Sequence, residues 1–291
     1  MTTTTAGVGT LLRGWRERRR ISQLELALRA DSSARHISFI ETGRSRPSQA
    51  MVLRLAEHLD VPVRERNALL IAAGYAPAYP ETPLRDPAMH PLRDSLDRLL
   101  TAYEPFPALI LDGMYDVVAA NRGVGVLLEG VAPHLLRPPL NAMRVTLHPE
   151  GMAPRIRNVR QWRDHLLERI ERQITMSGHE PLRALYEELT AYPVPAGRDE
   201  DASASASASA SGSAASAADA DANAEVFPFA LPMRIEHGGR VLSFISTATT
   251  FNTPMDVTVS ELAIEAFLPA DPETAAALQS LTPRAAGPGT R

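Results

Sequence analysis

Residues 22–47 read SQLELALRADSSARHISFIETGRSRP, and this stretch decides the fold of the first quarter of the chain. Ser22 followed three residues later by Glu25 is a capping box, in which hydroxyl and carboxylate satisfy orphan backbone donors, so a helix is expected to start at Gln23. Leu24, Ala27 and Leu28 stand at i, i+3 and i+4 and are expected on one buried face, with the small Ala27 admitting a second helix at close range. Asp31-Ser32-Ser33 interrupts the pattern. Ser33 is a good N-cap for a second helix over 34–42, with Ile37 and Ile40 inward and Gly43 at its stop.

With Ile37 and Ile40 inward, Ala34, Arg35, His36, Ser38 and Phe39 remain toward solvent, mostly in the first turn. That is where a helix laid in a major groove meets base edges. The face carries no carboxylate. Arg35 can donate two hydrogen bonds to a guanine edge, Ala34 or Phe39 can touch a thymine methyl, and His36 can donate to a base or phosphate. Arg44 and Arg46 follow on the loop, and Gln23 and Ser33 sit at helix N-termini, where backbone N–H groups suit phosphate. A solvated helical hairpin is the bland alternative for such a stretch; the sum of features favours a DNA reader.

These residues resemble the Cro and lambda-repressor type helix-turn-helix of the XRE family of bacterial regulators, over roughly residues 9–73. Ser22-Gln23, Ala27, Ile37, Ile40, Glu41, Gly43 and Pro47 fall where that family places them. The resemblance implies an ion pair between Arg16 on the first helix and Glu41 at the end of the recognition helix. Phe39 departs from the polar residue many relatives carry there, which bears on the operator sequence.

A chain of 291 residues suggests two domains, and 44% apolar residues suffice for buried cores. The net charge of −4 hides an asymmetry: residues 1–75 hold twelve Arg against seven acids (+5), and the remainder eighteen against twenty-seven (−9). The basic end is the nucleic-acid end. All thirty basic residues are Arg, from which no function follows. With no cysteine, disulfides, thiolate catalysis and cysteine zinc sites are excluded. No apolar run reaches the ~18 residues of a membrane span, and the start lacks a signal peptide's order, so a cytoplasmic protein without membrane contact is expected.

Taken in order, residues 9–20 form a first helix through Leu11, Leu12 and Trp15. Pro47-Ser48 starts a fourth, and Pro62 a fifth that ends at Gly74. Residues 9–74 thus form an all-α, five-helix, lambda-repressor-like domain, and the proline-rich 75–87 is a linker. The rest, 88–270, reads as α+β. Residues 90–103 are helical. Strands at 108–112 and 115–121 flank Asp112-Gly113, and Asn121 is placed to cap a following helix. Helices follow at 160–176 and 181–192, then strands at 227–237, 240–251 and 258–268. The Ala/Ser tract at 201–224 is expected to be a disordered insertion, and 271–291 a flexible tail with at most a short helix.

This order predicts an antiparallel five-stranded sheet with helices on one face, a shape that resembles a PAS-type sensor. The stretches VPVRERNALLIAAGYAPAY, LILDGMYDVVAANRGVGVLL, NAMRVTLHPEGMAPRIRNVRQWRDHLLERI, LYEEL and FNTPMDVTVSELAIEAFLPAD are similar to the MmyB-like XRE regulators. In these a helix-turn-helix precedes a PAS-like ligand-binding domain. The resemblance implies a small, apolar or fatty-acid-like effector. From the residues, Leu109, Leu111, Val118, Met143, Trp162, Leu166, Ile170, Met233, Ile235, Phe244 and Ile264 are candidates to line an apolar cavity, a filled core being the alternative. Arg155, with Arg157 and Arg160, is placed near its mouth to hold a carboxylate, a solvated helix end being the alternative.

Enzyme motifs are missing. GVGTLLRG and GVGVLLEG lack the third glycine of a dinucleotide fingerprint; there is no P-loop, no Gly-x-Ser-x-Gly elbow and no His-Glu-x-x-His. A haem would need His134, His148 or His165 inside the pocket, and no cofactor is expected. The expectation is a non-catalytic transcription factor, a homodimer on a pseudo-palindromic operator in double-stranded DNA with half-sites about 34 Å apart or a multiple of it. Two alternatives stay open: a DNA-tethered protein-interaction adaptor with a ligand-free PAS-like domain, and a divergent enzyme in the C-terminal half.

Overall fold

The structure is a computed structural model that describes residues 7–195 and 230–281. The Ala/Ser tract, the start of the strand expected at 227–237, and residues 282–291 of the expected tail lie outside the described residues. The chain divides into two compact units. Of the described residues, one holds 7–93 together with 171–183 and 250–262; the other holds 94–170, 184–195, 230–249 and 263–281.

The first unit begins with α1 (Val8–Arg18), α2 (Gln23–Arg29), α3 (Ala34–Glu41), α4 (Gln49–His58) and α5 (Val63–Ala72). Serine caps set three of the starts: the hydroxyls of Ser22, Ser33 and Ser48 accept from the backbone N–H of Glu25, His36 and Met51 at 3.1, 3.1 and 3.3 Å. Leu12, Trp15, Leu26, Ala27, Ile37, Ile40, Val52, Leu55, Leu59, Leu69 and Leu70 close one core. On α2 the buried face is not the one expected. Leu26 and Ala27 turn inward, while Leu24 and Leu28 are 61% and 73% exposed. With apolar residues at 24, 26, 27 and 28 in a seven-residue helix, the pattern admits two faces, and packing chooses one.

α1 crosses α3 so closely that a Cβ at Gly9 would lie 2.3 Å from the Ile40 carbonyl oxygen, a contact only glycine allows. The proline-rich segment after α5 is held in place. The Asn67 Oδ1 accepts from Ala78 and Tyr79 N–H at 3.0 and 3.1 Å, and its Nδ2 donates to the Tyr79 carbonyl at 2.7 Å.

Residues 250–262 complete this unit. The span expected as one strand at 258–268 begins instead with a short helix, because Asp256 caps it by accepting from Thr258 and Val259 N–H at 2.8 and 3.4 Å. Val257 N–H donates to the Pro80 carbonyl at 2.8 Å, and Thr82 N–H to Asp256 Oδ2 at 3.1 Å. Arg64 on α5 grips Glu261 with two nitrogens at 2.6 and 2.9 Å and reaches Glu81 at 2.7 Å. These carboxylates hold its guanidinium above its ordinary pKa.

The second unit is built on an antiparallel five-stranded sheet in the order β2-β1-β5-β4-β3. Its strands are β1 (Ala108–Leu111), β2 (Val117–Ala120), β3 (Met233–His237), β4 (Arg240–Thr250) and β5 (Ala263–Pro269). The Asp112 carboxylate closes the first hairpin by accepting from Met114 and Asp116 N–H at 2.8 and 2.9 Å. Gly238 and Gly239, at φ 56° and 77°, form the two-residue turn between β3 and β4.

The helices in order are α6 (His90–Tyr103), α7 (Val124–Leu128), α8 (Ala142–Leu147), α9 (Val159–Ser177), α10 (Glu180–Ala191), α11 (Val257–Glu261) and α12 (Pro272–Leu281). Asn121 does not cap α7. Its Oδ1 accepts from Ala108 N–H, and its Nδ2 donates to the Leu100 and Phe106 carbonyls, tying α6 to β1. Residues 272–281, placed in the tail by the sequence, are helical. Leu278 is fully buried there, and Thr274 Oγ1 accepts from Ser243 N–H at 3.0 Å. Among the described residues no helix is long and apolar enough to cross a membrane.

Candidate functional site

In the first unit, α3 is fixed from behind by one buried ion pair. Arg16 Nε and Nη2 donate to the two oxygens of Glu41 at 2.7 and 2.9 Å, and Gln23 Nε2 donates to Glu41 Oε2 at 2.8 Å. The Arg16 side chain is 11% exposed and that of Glu41 only 2%. The hydrogen bond to Glu41 raises the Arg16 pKa above its ordinary value. Gln23, a sequence candidate for DNA contact, therefore spends one amide hydrogen on Glu41 and is itself half-buried.

On the outer side of α3, Arg35 lies 5.2 Å and Arg44 6.0 Å from the centre of the Phe39 ring, so two guanidinium groups attend one aromatic ring. Ala34 and His36 are half-buried beside them, and Ser33 remains at the surface while its hydroxyl caps the helix. The loop that carries Arg44 folds back on the helix: the N–H groups of Arg44 and Ser45 both donate to the Phe39 carbonyl, at 2.8 and 3.0 Å.

Arg46 is employed differently from the sequence expectation. Its Nε and Nη2 donate to the Ala73 carbonyl at 3.2 and 2.9 Å, and its guanidinium lies 5.4 Å from the Tyr75 ring centre. It closes the end of α5 with Nε and Nη2, while the residue stays exposed at the surface.

The second unit holds an apolar cavity of about 100 Å³ that is partly open to solvent. Its walls come from β1 (Leu109), β2 (Val117, Ala120), α7 (Val124, Leu127, Leu128), Leu140 and α8 (Ala142, Met143, Val145, Thr146). Met152, α9 (Trp162, Leu166), β3 (Met233) and β5 (Glu265, Phe267) complete them. Thr146 turns its hydroxyl to the Ala142 carbonyl at 2.8 Å. Among the described residues, Glu265 is the single charged one on the wall.

Of the sequence candidates, Leu109, Met143, Trp162, Leu166 and Met233 meet at this cavity. Leu111, Val118, Ile170, Ile235, Phe244, Ile264 and Arg155 do not line it. Strand parity accounts for part of the difference. β1 and β2 slip register between Ile110 and Leu111, so that Leu111 pairs with Val117 and Val118 is left 42% exposed. Ile264 pairs with Ile110, one residue out of phase with the Leu109–Glu265 pair that faces the cavity. Ile170, Ile235 and Phe244 are buried core away from it, Phe244 standing edge-on to Phe267.

Arg155 donates to the Leu127 carbonyl, and burial lowers its pKa. With Arg157 it opens onto a separate pocket of about 420 Å³ at the β3–β4 turn, where Arg157 is paired with Glu236; Arg160 is not on that wall. His134 and His148 lie edge to face beside Glu150, and His165 packs on Trp162 at 5.4 Å.

Glu265 escapes sequence reasoning because a carboxylate in an apolar strand gives no sign of which way it points. The alternation Leu262, Ile264, Ala266 implies only that it faces away from them. Val124, Leu127 and Leu128 have the pattern of a short helix with no evident role. They line the cavity because α7 returns immediately after β2.

A family model described as the MmyB-like transcription regulator ligand binding domain matches residues 92–281, and a helix-turn-helix model matches residues 12–66. No curated protein matches the chain.

Proposed function

The chain belongs to the MmyB-like transcription regulators, DNA-binding proteins with a ligand-binding domain, and from that premise we propose that a small apolar ligand held in the second unit modulates its grip on DNA. The observation that carries this reading is the cavity of about 100 Å³ with almost wholly apolar walls. Native cores close to crystal-like density, so an apolar hollow of this size offers room for a small ligand. The regulator is non-catalytic in this reading: Glu265 is held by Arg169 and Ser246, and among the described residues the wall carries no second acid and no histidine to exchange protons with it.

On the DNA side, α3 presents Arg35 as the base-reading group, with Phe39 and Arg44 beside it. The chain acts as a homodimer on a pseudo-palindromic operator. The strand order and antiparallel pairing support a PAS-like sensor. A fatty acid, the effector class of the sequence resemblance, requires this cavity to enlarge. An engineered cavity of roughly 150 Å³ is filled by benzene alone, and a long acyl chain is several times larger.

Mass spectrometry of the solvent extract of the full-length protein, paired with operator selection from random duplexes, tests the reading. An apolar small molecule whose removal changes operator affinity is expected. A clean extract together with an operator affinity that no apolar compound changes would refute it. A second reading, a DNA-tethered adaptor for a protein partner, is favoured by Leu24 and Leu28, which stand exposed as an apolar pair on α2. Capture of a partner that Leu24→Ser abolishes would support it.

A further inference from the structure

Glu265 is only 5% exposed, on the wall of an otherwise apolar cavity. Its carboxylate is compensated incompletely. Oε1 accepts from the Ser246 hydroxyl at 2.7 Å, and a single nitrogen of Arg169 straddles both oxygens at 3.2 Å each. Arg169 is in turn drawn toward the Tyr115 ring, 5.4 Å away. An ionised carboxylate offers about four acceptor positions. Oε2 receives only its share of one long bond, so acceptor capacity is left over in a place where water has little access. Leaving such a group unmet in low dielectric is costly, and fully apolar walls would serve a purely hydrocarbon ligand better.

We infer that Glu265 is the specificity-determining group of this cavity, selecting a compact apolar ligand that carries one neutral hydrogen-bond donor, a hydroxyl or N–H. The inference rests on the cavity being the ligand site. The charge of the donor follows from the pair. An anionic head would meet the Glu265 carboxylate, a cationic one would meet Arg169 beside it, and a neutral donor meets neither objection. Size follows from volume: about 100 Å³, against the roughly 150 Å³ cavity that accommodates benzene, points to a ring of five or six heavy atoms.

Three probes on the full-length chain separate the possibilities: cyclopentanol, its near-isostere methylcyclopentane, and cyclopentanecarboxylate. Binding is read by calorimetry and by Trp162 emission in a Trp15→Phe background, since Trp162 lines the cavity and the chain has only two tryptophans. Cyclopentanol is expected to bind about tenfold or more tightly than methylcyclopentane, although the hydrocarbon is the more hydrophobic, and the carboxylate to bind worst. In Glu265→Gln the penalty on the carboxylate should fall and the preference for the alcohol shrink. Equal affinity for alcohol and hydrocarbon in the unmodified chain, or a preference for the carboxylate, overturns the role of Glu265 while leaving the cavity a ligand site. Failure of all three to bind or to move Trp162 emission overturns both.

Discussion

Removing the Arg16 guanidinium, for example by Arg16→Met, strands the Glu41 carboxylate at the end of α3 with Gln23 as its remaining partner. The Glu41 side chain is 2% exposed, so solvent cannot take over. Two unit charges about 4 Å apart at an effective dielectric of 20 attract by about 4 kcal/mol, and breaking one side of a buried pair costs about 3–5 kcal/mol. Against a domain stability of about 5–15 kcal/mol, that is a large fraction. The assay is urea unfolding of the first unit followed through Trp15, which is buried beside Arg16 on α1, in a chain with Trp162→Phe. Operator affinity should fall together with stability, because the same pair fixes α3 against α1. The double variant Arg16→Met with Glu41→Leu should recover most of the loss, since two apolar side chains replace two desolvated charges. A single-variant cost below about 1 kcal/mol, the range of exposed pairs, or a double variant no better than the single, would refute the argument that this pair holds the reading helix in place.

Arg35→Ala should cost about 1–3 kcal/mol on the cognate operator and relax one base position, whereas Arg44→Ala should weaken all duplexes alike; binding across an operator panel checks both. Arg46→Ala should lower thermal stability, because its Nε and Nη2 close the end of α5 on the Ala73 carbonyl; thermal unfolding checks it. Arg64→Ala removes the grip on Glu261 and Glu81; since partly exposed pairs contribute little, thermal unfolding should show a loss of no more than about 1 kcal/mol. Tyr192 gives a pH prediction. Burial, reinforced by its hydrogen bond to Glu188, raises its pKa from 10.0 to about 12. The folded state therefore keeps the proton that the unfolded chain releases near pH 10, and stability from this group, complete below pH 10, is lost as pH rises toward about 12. The chain has no lysine to obscure that window, and Tyr192→Phe should flatten the stability curve there.

The parts of the molecule that were legible in the sequence are those decided within a few residues. Ser22 and Ser33 announce helix starts because a cap is a contact between neighbours, and Asp112-Gly113 announces a hairpin for the same reason. The Arg16–Glu41 pair was legible only through family resemblance, since nothing local joins residues that far apart. Face assignments were less secure. Leu24 and Leu28 compete with Leu26 for the inside of α2, and only the positions of α3 and α4 decide. Val257-Thr258-Val259 has the β-branched composition of a strand, yet the Asp256 cap makes it helical. In the cavity, one bulge between Ile110 and Leu111 exchanges Val118 for Val117 on the wall. A period-two pattern carries no information about where such a slip falls.

The clasp of Arg64 by Glu261 joins residues 197 apart in the sequence. The five helices that read DNA close on contacts among themselves, so they can fold as soon as they emerge during synthesis, while Glu261 has yet to be made. At about 5–20 residues per second, every newly made chain spends roughly 10–40 s with its DNA reader complete and that clasp absent.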